Sequence, residues 1–162
     1  MILRTSEEGY AMGEAGKDAL RVGFDPTLKL EFHGSKITAD AGLLAYRELV
    51  EVLGLTAMTG DYFDDWRTGQ NIRHTTIGLF RQSVFSRLAG YEDTNDAQFL
   101  CVDPSMRYVV GGQAKHNQAA STSQVGRFET EVLTTPKNLA ALTNLSGHWI
   151  DQVHQVKPPR EI

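Results

Sequence analysis

The stretch GYEDTNDAQFLCVDPSMRYVVGG, residues 90–112, carries two helix starts and one helix stop in close succession. Thr94 or Asn95 caps a first helix. Asp103–Pro104 caps and opens a second one, because a proline at the first helical position loses no hydrogen bond. Gly111–Gly112 then ends the second helix. Short helices joined by tight turns are typical of DNA-binding helix-turn-helix units and also of many other helical domains.

The segments before and after it predict a mainly α-helical fold that begins with a short β-hairpin. Alternating apolar residues in LKLEF, residues 28–32, predict a strand, 33–35 a turn, and Lys36–Thr38 a short partner strand. We expect residues 1–20 to be a flexible N-terminal tail, 21–156 to form one helical, helix-turn-helix-like DNA-binding domain, and 157–162 to be a linker.

Helical spacing of apolar residues locates the longer helices. Asp40 is the expected N-cap of a helix with an apolar stripe at Leu43, Tyr46, Val50 and Leu53. A second short helix is expected over residues 55–63. In RHTTIGLFRQSVFSRLAG, residues 73–90, the predicted stripe is Ile77, Phe80, Val84 and Leu88. Arg81 and Arg87 lie off that stripe, so their side chains are expected to be exposed. The last predicted helix covers residues 136–156.

Composition sets broad limits on the class of protein. A chain of 162 residues with 41% hydrophobic residues fits one globular domain. No stretch approaches the roughly 20 apolar residues of a membrane span, and the N-terminus lacks the pattern of a secretory signal. We therefore expect a cytoplasmic protein without membrane contact. The single cysteine, Cys101, can support neither a disulfide framework nor a cysteine-based zinc site.

The charged residues are unevenly distributed along the chain. The formal net charge of −4 argues against a uniformly basic nucleic-acid binder. Residues 66–91 and 104–128 nevertheless contain basic residues and no acid. This separation allows a basic face on an acidic protein, although ordinary solvated surface has the same composition.

The segment AASTSQVGRFETEV, residues 119–132, predicts a helix with a polar outer face. Ser121 and Gln124 have the spacing of a capping box. Ser123, Gln124 and Arg127 suit contacts with phosphates and base edges, because amide and guanidinium groups form paired hydrogen bonds to purines. A capped surface helix without a ligand has the same pattern.

Taken in order, the blocks KITADAGLLAYRELVEVLGL, RHTTIGLFRQSVFSRLAGYEDTNDAQFLCVDPSMRYVVGG and ASTSQVGRFETEV resemble the N-terminal region of bacterial insertion-sequence transposases of the DDE type, DDE transposase group 1. Their catalytic core is RNase H-like. The resemblance covers roughly residues 22–157. It implies a nucleoid-associated bacterial protein that binds double-stranded DNA at the terminal inverted repeats of a mobile element, with the helix that carries Arg127 as the reading element.

This resemblance gives the candidate DNA-binding residues their roles. Ser123, Gln124 and Arg127 are expected to approach base edges, with Ser121 beside them. Four basic residues are expected to meet phosphates, namely Arg81, Arg87, Arg107 and Lys115. The alternative function is a helical interaction or dimerisation module, in which the helix over 136–156 pairs with a second copy or with a separate catalytic chain.

The family resemblance also concerns catalysis. In the family, a linker like VKPPREI leads into the catalytic core, whose three acidic residues hold two Mg²⁺ ions that activate water or a 3′-hydroxyl. We expect that core to be missing here, so that no residue is catalytic or metal-binding and the chain alone transfers no phosphoryl group. The cluster Asp61, Asp64 and Asp65 is interpreted as helix-end acids rather than as a metal site.

Overall fold

The computed structural model describes residues 2–4, 20–31, 40–68 and 72–156. Within these ranges the chain forms seven α-helices: α1 Leu43–Val52, α2 Leu55–Tyr62, α3 Thr76–Leu88, α4 Ala97–Leu100, α5 Pro104–Val110, α6 Thr122–Arg127 and α7 Pro136–Val156. Short 3₁₀ turns lie at Thr94–Asp96 and Gly112–Lys115, and a π-helical turn over Phe128–Val132 continues α6. The predicted mainly α-helical class is confirmed.

The predicted β-hairpin is not seen among the residues that the structure describes. Three short strands, β1 Ile2–Arg4, β2 Leu20–Arg21 and β3 Lys29–Glu31, form an antiparallel sheet in the order β1-β3-β2. β3 coincides with the first predicted strand, but its partners come from earlier in the chain. The predicted turn 33–35 and partner strand 36–38 lie outside the described residues, as do most of the predicted tail and the linker 157–162.

Helix α3 lies between two apolar clusters, which explains why so much of its surface is buried. On one side Phe85 packs with residues of α1 and α5 such as Leu44 and Met106. On the other side Leu79 and Phe80 pack with α6, the π turn and Leu145 of α7. A helix covered on two sides buries a wider arc than a single stripe. The predicted stripe is therefore partly wrong, because Val84 and Leu88 are exposed.

Helix α1 begins later than predicted and turns a different face inward. Its N-cap is Gly42, and the carboxylate of Asp40 instead accepts a hydrogen bond from the Tyr91 hydroxyl at 3.3 Å. Tyr46 is 53% exposed, whereas Arg47 is buried. The Arg47 guanidinium lies 4.8 Å from the centre of the Phe24 ring, so a cation–π contact occupies a position that the apolar pattern could not predict.

The capping predictions for α5 and α6 are confirmed, but the predicted cap at Thr94 or Asn95 is wrong. Asp93 caps the 3₁₀ turn before α4 instead, because its carboxylate accepts a hydrogen bond from the Asn95 N–H at 2.8 Å. Asp103 accepts a hydrogen bond from the Met106 backbone at 2.7 Å, with Pro104 at the first position of α5. Gly111 follows α5 with a φ of 78°, a conformation that favours glycine. Ser121 and Gln124 form the capping box of α6. These local signals fix where the short helices begin and end.

Candidate nucleic-acid interface

The outer face of α6 borders an open groove of about 660 Å³. The other walls are the segment before α3 and the segment that follows the Gly112–Lys115 turn. We call this part of the groove its polar half. Amides, hydroxyls and two guanidinium groups line it, supplied by Gln113, Asn117, Gln118, Ser123, Arg73 and Arg127. No carboxylate from the described residues lines it, so its charge is positive although the chain is acidic overall.

Arg73 and Arg127 are exposed at this groove. The Arg127 Nε donates to the carbonyl of Ser123 at 3.2 Å, which directs the side chain along α6. Among the described residues, neither arginine forms an ion pair with a carboxylate, in contrast to six other basic side chains. Their guanidinium groups are therefore accessible to an anion from solution.

His74 lines the same groove as the two arginines and is buried. Burial lowers the pKa of His74 below its usual 6.5, and the charges of Arg73 and Arg67 lower it further. The imidazole is consequently neutral at neutral pH. The positive charge of the groove then comes from the arginines alone.

Two sets of contacts fix the start of α6. The side chain of Gln82, fully buried in α3, donates to the Ala120 carbonyl at 2.7 Å and accepts from the Ala120 N–H at 2.8 Å. The Ser121 N–H donates to Gln124 Oε1 at 2.9 Å. Because both backbone groups of Ala120 are satisfied by one rigidly packed amide, the first turn of α6 has a defined position against α3.

The π turn fixes the other end of α6 by facing α3. Glu129 accepts two hydrogen bonds from Arg87, at 2.8 and 3.0 Å, and one from the Ser83 hydroxyl at 2.5 Å. Burial of the Glu129 carboxyl by itself raises its pKa, but the hydrogen bonds from Arg87 and Ser83 together hold the pKa below its usual value. Arg87 is half-exposed, but Glu129 compensates its charge.

Arg81 is the predicted phosphate contact whose placement differs most from expectation. Its side chain is only 13% exposed and donates to Glu51 at 2.8 Å, to the Val110 carbonyl at 3.2 Å and to the Thr56 hydroxyl at 3.1 Å. Burial, with the nearby charge of Arg47, lowers the pKa of Arg81 to about 10. The predicted exposure of Arg81 is wrong because α1, α2 and the end of α5 cover that side of α3.

Arg107 and Lys115 also have partners within the protein. The Arg107 guanidinium donates to the carbonyls of Ala114 and Lys115 at 2.9 and 2.6 Å, closing the turn after α5. The Lys115 ammonium lies 2.6 Å from the carboxylate of the buried Asp25. Ser121, Ser123, Gln124 and Arg127 thus lie together at the groove, whereas the four predicted phosphate contacts have internal partners. Their roles in DNA binding stay predictions.

Sequence reasoning missed several residues of the groove, notably Arg73, His74, Gln113, Asn117 and Gln118. They come from the two acid-free segments, 66–91 and 104–128. The charge pattern indicated those segments but not that they meet. Their meeting depends on contacts between distant residues, such as the Gln82–Ala120 pair.

The groove continues past Gln124 and Arg127 into an apolar half of about 350 Å³. The buried side chains of Leu79, Phe128 and Val132 form its floor. Trp66 and Ile72 line it and are 56% and 40% exposed. The groove therefore combines a cationic, hydrogen-bonding half with an apolar half that contains an aromatic ring.

Arg67 lies at the edge of the apolar half and is held by Asp65. Two guanidinium nitrogens contact the two carboxylate oxygens at 2.7 Å, and the Thr76 hydroxyl donates to the same carboxylate at 2.5 Å. The hydrogen bonds from Arg67 lower the pKa of Asp65 to about 2. The charge of Arg67 is compensated locally, unlike the charge of Arg73.

The acidic cluster predicted not to be a metal site has other partners. Asp65 binds Arg67, and Asp64 lies 2.8 Å from Lys137. In the part of the chain that the structure describes, no three His, Cys, Asp or Glu side chains are placed to hold a metal ion. The described carboxylates therefore do not fit the Mg²⁺ ions of a DDE centre. No described helix is both long and apolar enough to cross a membrane.

Comparison with known proteins gives one result that bears on identity. No curated protein and no solved structure matches the chain at a significant level. Residues 20–162 match the family described as Transposase DDE domain group 1. This match includes every described residue from β2 to the end of α7, and it confirms the resemblance to DDE transposases. The chain belongs to the transposase DDE domain group 1 family.

Proposed function

We propose that this chain is a DNA-recognition region of a bacterial transposase and that it binds the terminal inverted repeats of its mobile element. The observation that carries the proposal is the groove beside α6. Two exposed arginines, Arg73 and Arg127, border it without carboxylate partners among the described residues. Most other described cations are compensated, so this is where a polyanion gains the most favourable interaction.

The side chains of the groove suit two kinds of DNA contact. Arg127 can donate two parallel hydrogen bonds to the O6 and N7 atoms of a guanine. Gln124 uses its Oε1 atom in the capping box, which leaves its NH₂ group as a donor to a base edge. Arg73 lies across the groove and is assigned to a phosphate, which positions the protein without reading sequence.

The short helices supply the scaffold for this contact. α4 and α6 are neighbours, and the Ala119 N–H donates to the Cys101 carbonyl at 2.8 Å. A helix-turn-helix-like role, with α6 as the reading helix, belongs to this proposal. Arg81 and Arg107 then act as scaffold residues, because their hydrogen bonds hold α5 and the turn that follows it.

DNA cleavage is not assigned to the described residues, because their carboxylates do not converge on a metal position. We propose that any Mg²⁺-dependent step uses acidic residues outside those described. The proposal therefore concerns binding, which can be measured separately from strand transfer.

The proposal is tested by fluorescence anisotropy with a labelled duplex of the element's inverted repeat and a scrambled duplex of equal length. Arg127→Ala is expected to reduce the preference for the inverted repeat by about 1–3 kcal/mol, the usual value of a bidentate base contact. Lys137→Ala is the charge-matched control, because Lys137 pairs with Asp64 on the exposed surface and should change neither affinity. Equal loss on both duplexes would refute base reading by Arg127.

A second candidate function is supported by α7. Leu139, Leu142, Ile150 and Val156 of this helix are exposed, which is unusual for four large apolar side chains of one helix. We propose as the alternative that α7 pairs with a second copy of the chain. Light scattering would then give a dimer that Leu139→Glu dissociates. A monomer at high protein concentration with intact DNA binding would contradict this alternative.

A further inference from the structure

We propose that the apolar half of the groove accepts one unstacked nucleobase, packed against Trp66, from DNA bound along the polar half. The inference rests on the proposed DNA-binding function and extends it, because it requires a base outside the double helix. Its site is the 350 Å³ pocket that adjoins the polar half at Gln124 and Arg127.

The pocket offers an aromatic face to solvent. Trp66 is 56% exposed, although indole is among the side chains that gain most from burial. Ile72 is similarly exposed beside it, over the buried floor formed by Leu79 and Phe128. The volume lies at the lower end of the range for small-molecule sites, about 300–1,000 Å³. A flat aromatic ring of nucleobase size fits this combination of depth and surface.

The rim of the pocket selects among apolar ligands. Arg73, Gln124 and Arg127 line both halves of the groove, so guanidinium and amide donors stand at the pocket's mouth. A simple anion would leave Trp66 without a contact, and an aliphatic ligand would leave the arginines without an anion. A nucleotide satisfies both, because its base stacks on the indole while its phosphate meets a guanidinium group.

Glu131 lines the pocket and Asp65 is bound to Arg67 of its lining, and neither acidic group opposes this occupant. Asp65 is bound to Arg67 and to Thr76, so its charge is compensated. Glu131 is exposed at the lining, where a carboxylate can accept a hydrogen bond from the exocyclic amino group of a base. An adenine is therefore a suitable probe for the pocket.

The test compares two duplexes that differ by a single unpaired adenine. The chain has two tryptophans, and Trp149→Phe leaves Trp66 as the sole indole emitter at the cost of one hydrogen bond to the Leu53 carbonyl. In this background the duplex with the unpaired adenine is expected to quench Trp66 emission more than the paired duplex. In anisotropy titrations of the unmodified chain it is expected to bind about fivefold or more tightly, as base–aromatic stacking implies.

Two substitutions of Trp66 make the test specific. Trp66→Ala should remove most of the preference for the unpaired adenine, because it weakens binding of that duplex more than binding of the paired duplex. Trp66→Phe should restore much of the preference, because it keeps an aromatic face. Trp66 is largely exposed, so neither substitution should prevent folding.

The outcomes separate this inference from the proposed function. Equal binding of both duplexes by the unmodified chain, with Trp66 emission unchanged, would overturn the base pocket while DNA binding stands. Equal loss on both duplexes in Trp66→Ala would also overturn it, since Trp66 would then belong to a general DNA surface. If neither duplex binds, both proposals are overturned.

Discussion

Two regions of the molecule use arginine in opposite ways. Between α1, α3 and α5, the guanidinium groups of Arg47, Arg81 and Arg107 donate to backbone carbonyls at or after the end of α5. At the groove, Arg73 and Arg127 are exposed and have no carboxylate partner among the described residues. The difference shows that counting basic residues in a sequence cannot separate cations that hold the fold together from cations that are available to a ligand.

The physical cause of the difference is the environment at the end of α5. The last carbonyls of a helix lack partners within the helix and carry partial negative charge, so they attract donors with positive charge. Glu51 compensates both Arg47 and Arg81 from α1. Such a buried group gains hydrogen bonds that offset its desolvation, whereas the groove arginines keep their hydration until an anion replaces it.

The largest effect is expected from Arg81→Met. Removal of one partner from a buried ion pair leaves Glu51 and the Val110 carbonyl without the Arg81 donor. Because Glu51 keeps Arg47 as a partner, we expect the free energy of unfolding to fall by about 1–3 kcal/mol, the usual cost of leaving a buried polar group without its hydrogen bond. Urea denaturation followed by circular dichroism measures this change. Unaltered stability combined with a reduced salt dependence of DNA binding would show instead that Arg81 contacts phosphates. The distinction between internal arginines and groove arginines would then be wrong for Arg81.

A smaller effect, on binding rather than stability, is expected from Arg73→Ala. The free energy of unfolding should change by less than about 0.5 kcal/mol, because the side chain is exposed. The slope of log affinity against log salt concentration should decrease by about one unit for any DNA sequence. Lys137→Ala, which removes the same charge elsewhere, should leave the slope unchanged. Equal slopes for Arg73→Ala and the unmodified chain would show that Arg73 does not contact DNA phosphates.

The smallest effect is expected from Asp65→Asn, which removes the carboxylate that pairs with Arg67. The pKa of Asp65 is about 2 in the folded protein, against 3.8 for an ordinary aspartate. Its contribution to stability is therefore fully present above about pH 4 and is lost as the pH falls toward 2. The variant should lose less stability than the unmodified chain between these pH values. Urea denaturation midpoints of both proteins at pH 7, 4 and 2 measure this difference in stability. Equal losses of stability in the two proteins would argue against the ion pair.

The parts of the fold that the sequence could predict depend on neighbouring residues. The caps at Asp103–Pro104 and Ser121 and the extents of α5 and α7 follow from contacts within a few positions. The contacts of Arg81 with Glu51 and of Gln82 with Ala120 join residues 30 and 38 positions apart. Neither leaves a periodic signal, because a buried arginine or glutamine interrupts the apolar pattern instead of extending it.

The candidate site was predictable to a similar extent. The outward residues of α6, Ser123, Gln124 and Arg127, follow from the helical period once the capping box fixes its start. The opposite wall of the groove, with Arg73 and Trp66, depends on how α3 packs against α6. The strand partners of β3 were missed for the same reason, since β1 and β2 come from earlier segments that carry weak patterns.

The π turn after α6 has a consequence for which residues face α3 at the end of this helix. The Leu133 N–H donates to the Phe128 carbonyl at 2.9 Å, five residues back, so one residue more than usual is fitted into the turn. Residues after it are out of phase with those before it by about 100°, the rotation of a single helical residue. A deletion of one residue within Phe128–Val132 would restore the usual period and rotate the residues at the end of this turn against α3, while α6 and its arginine stay in place.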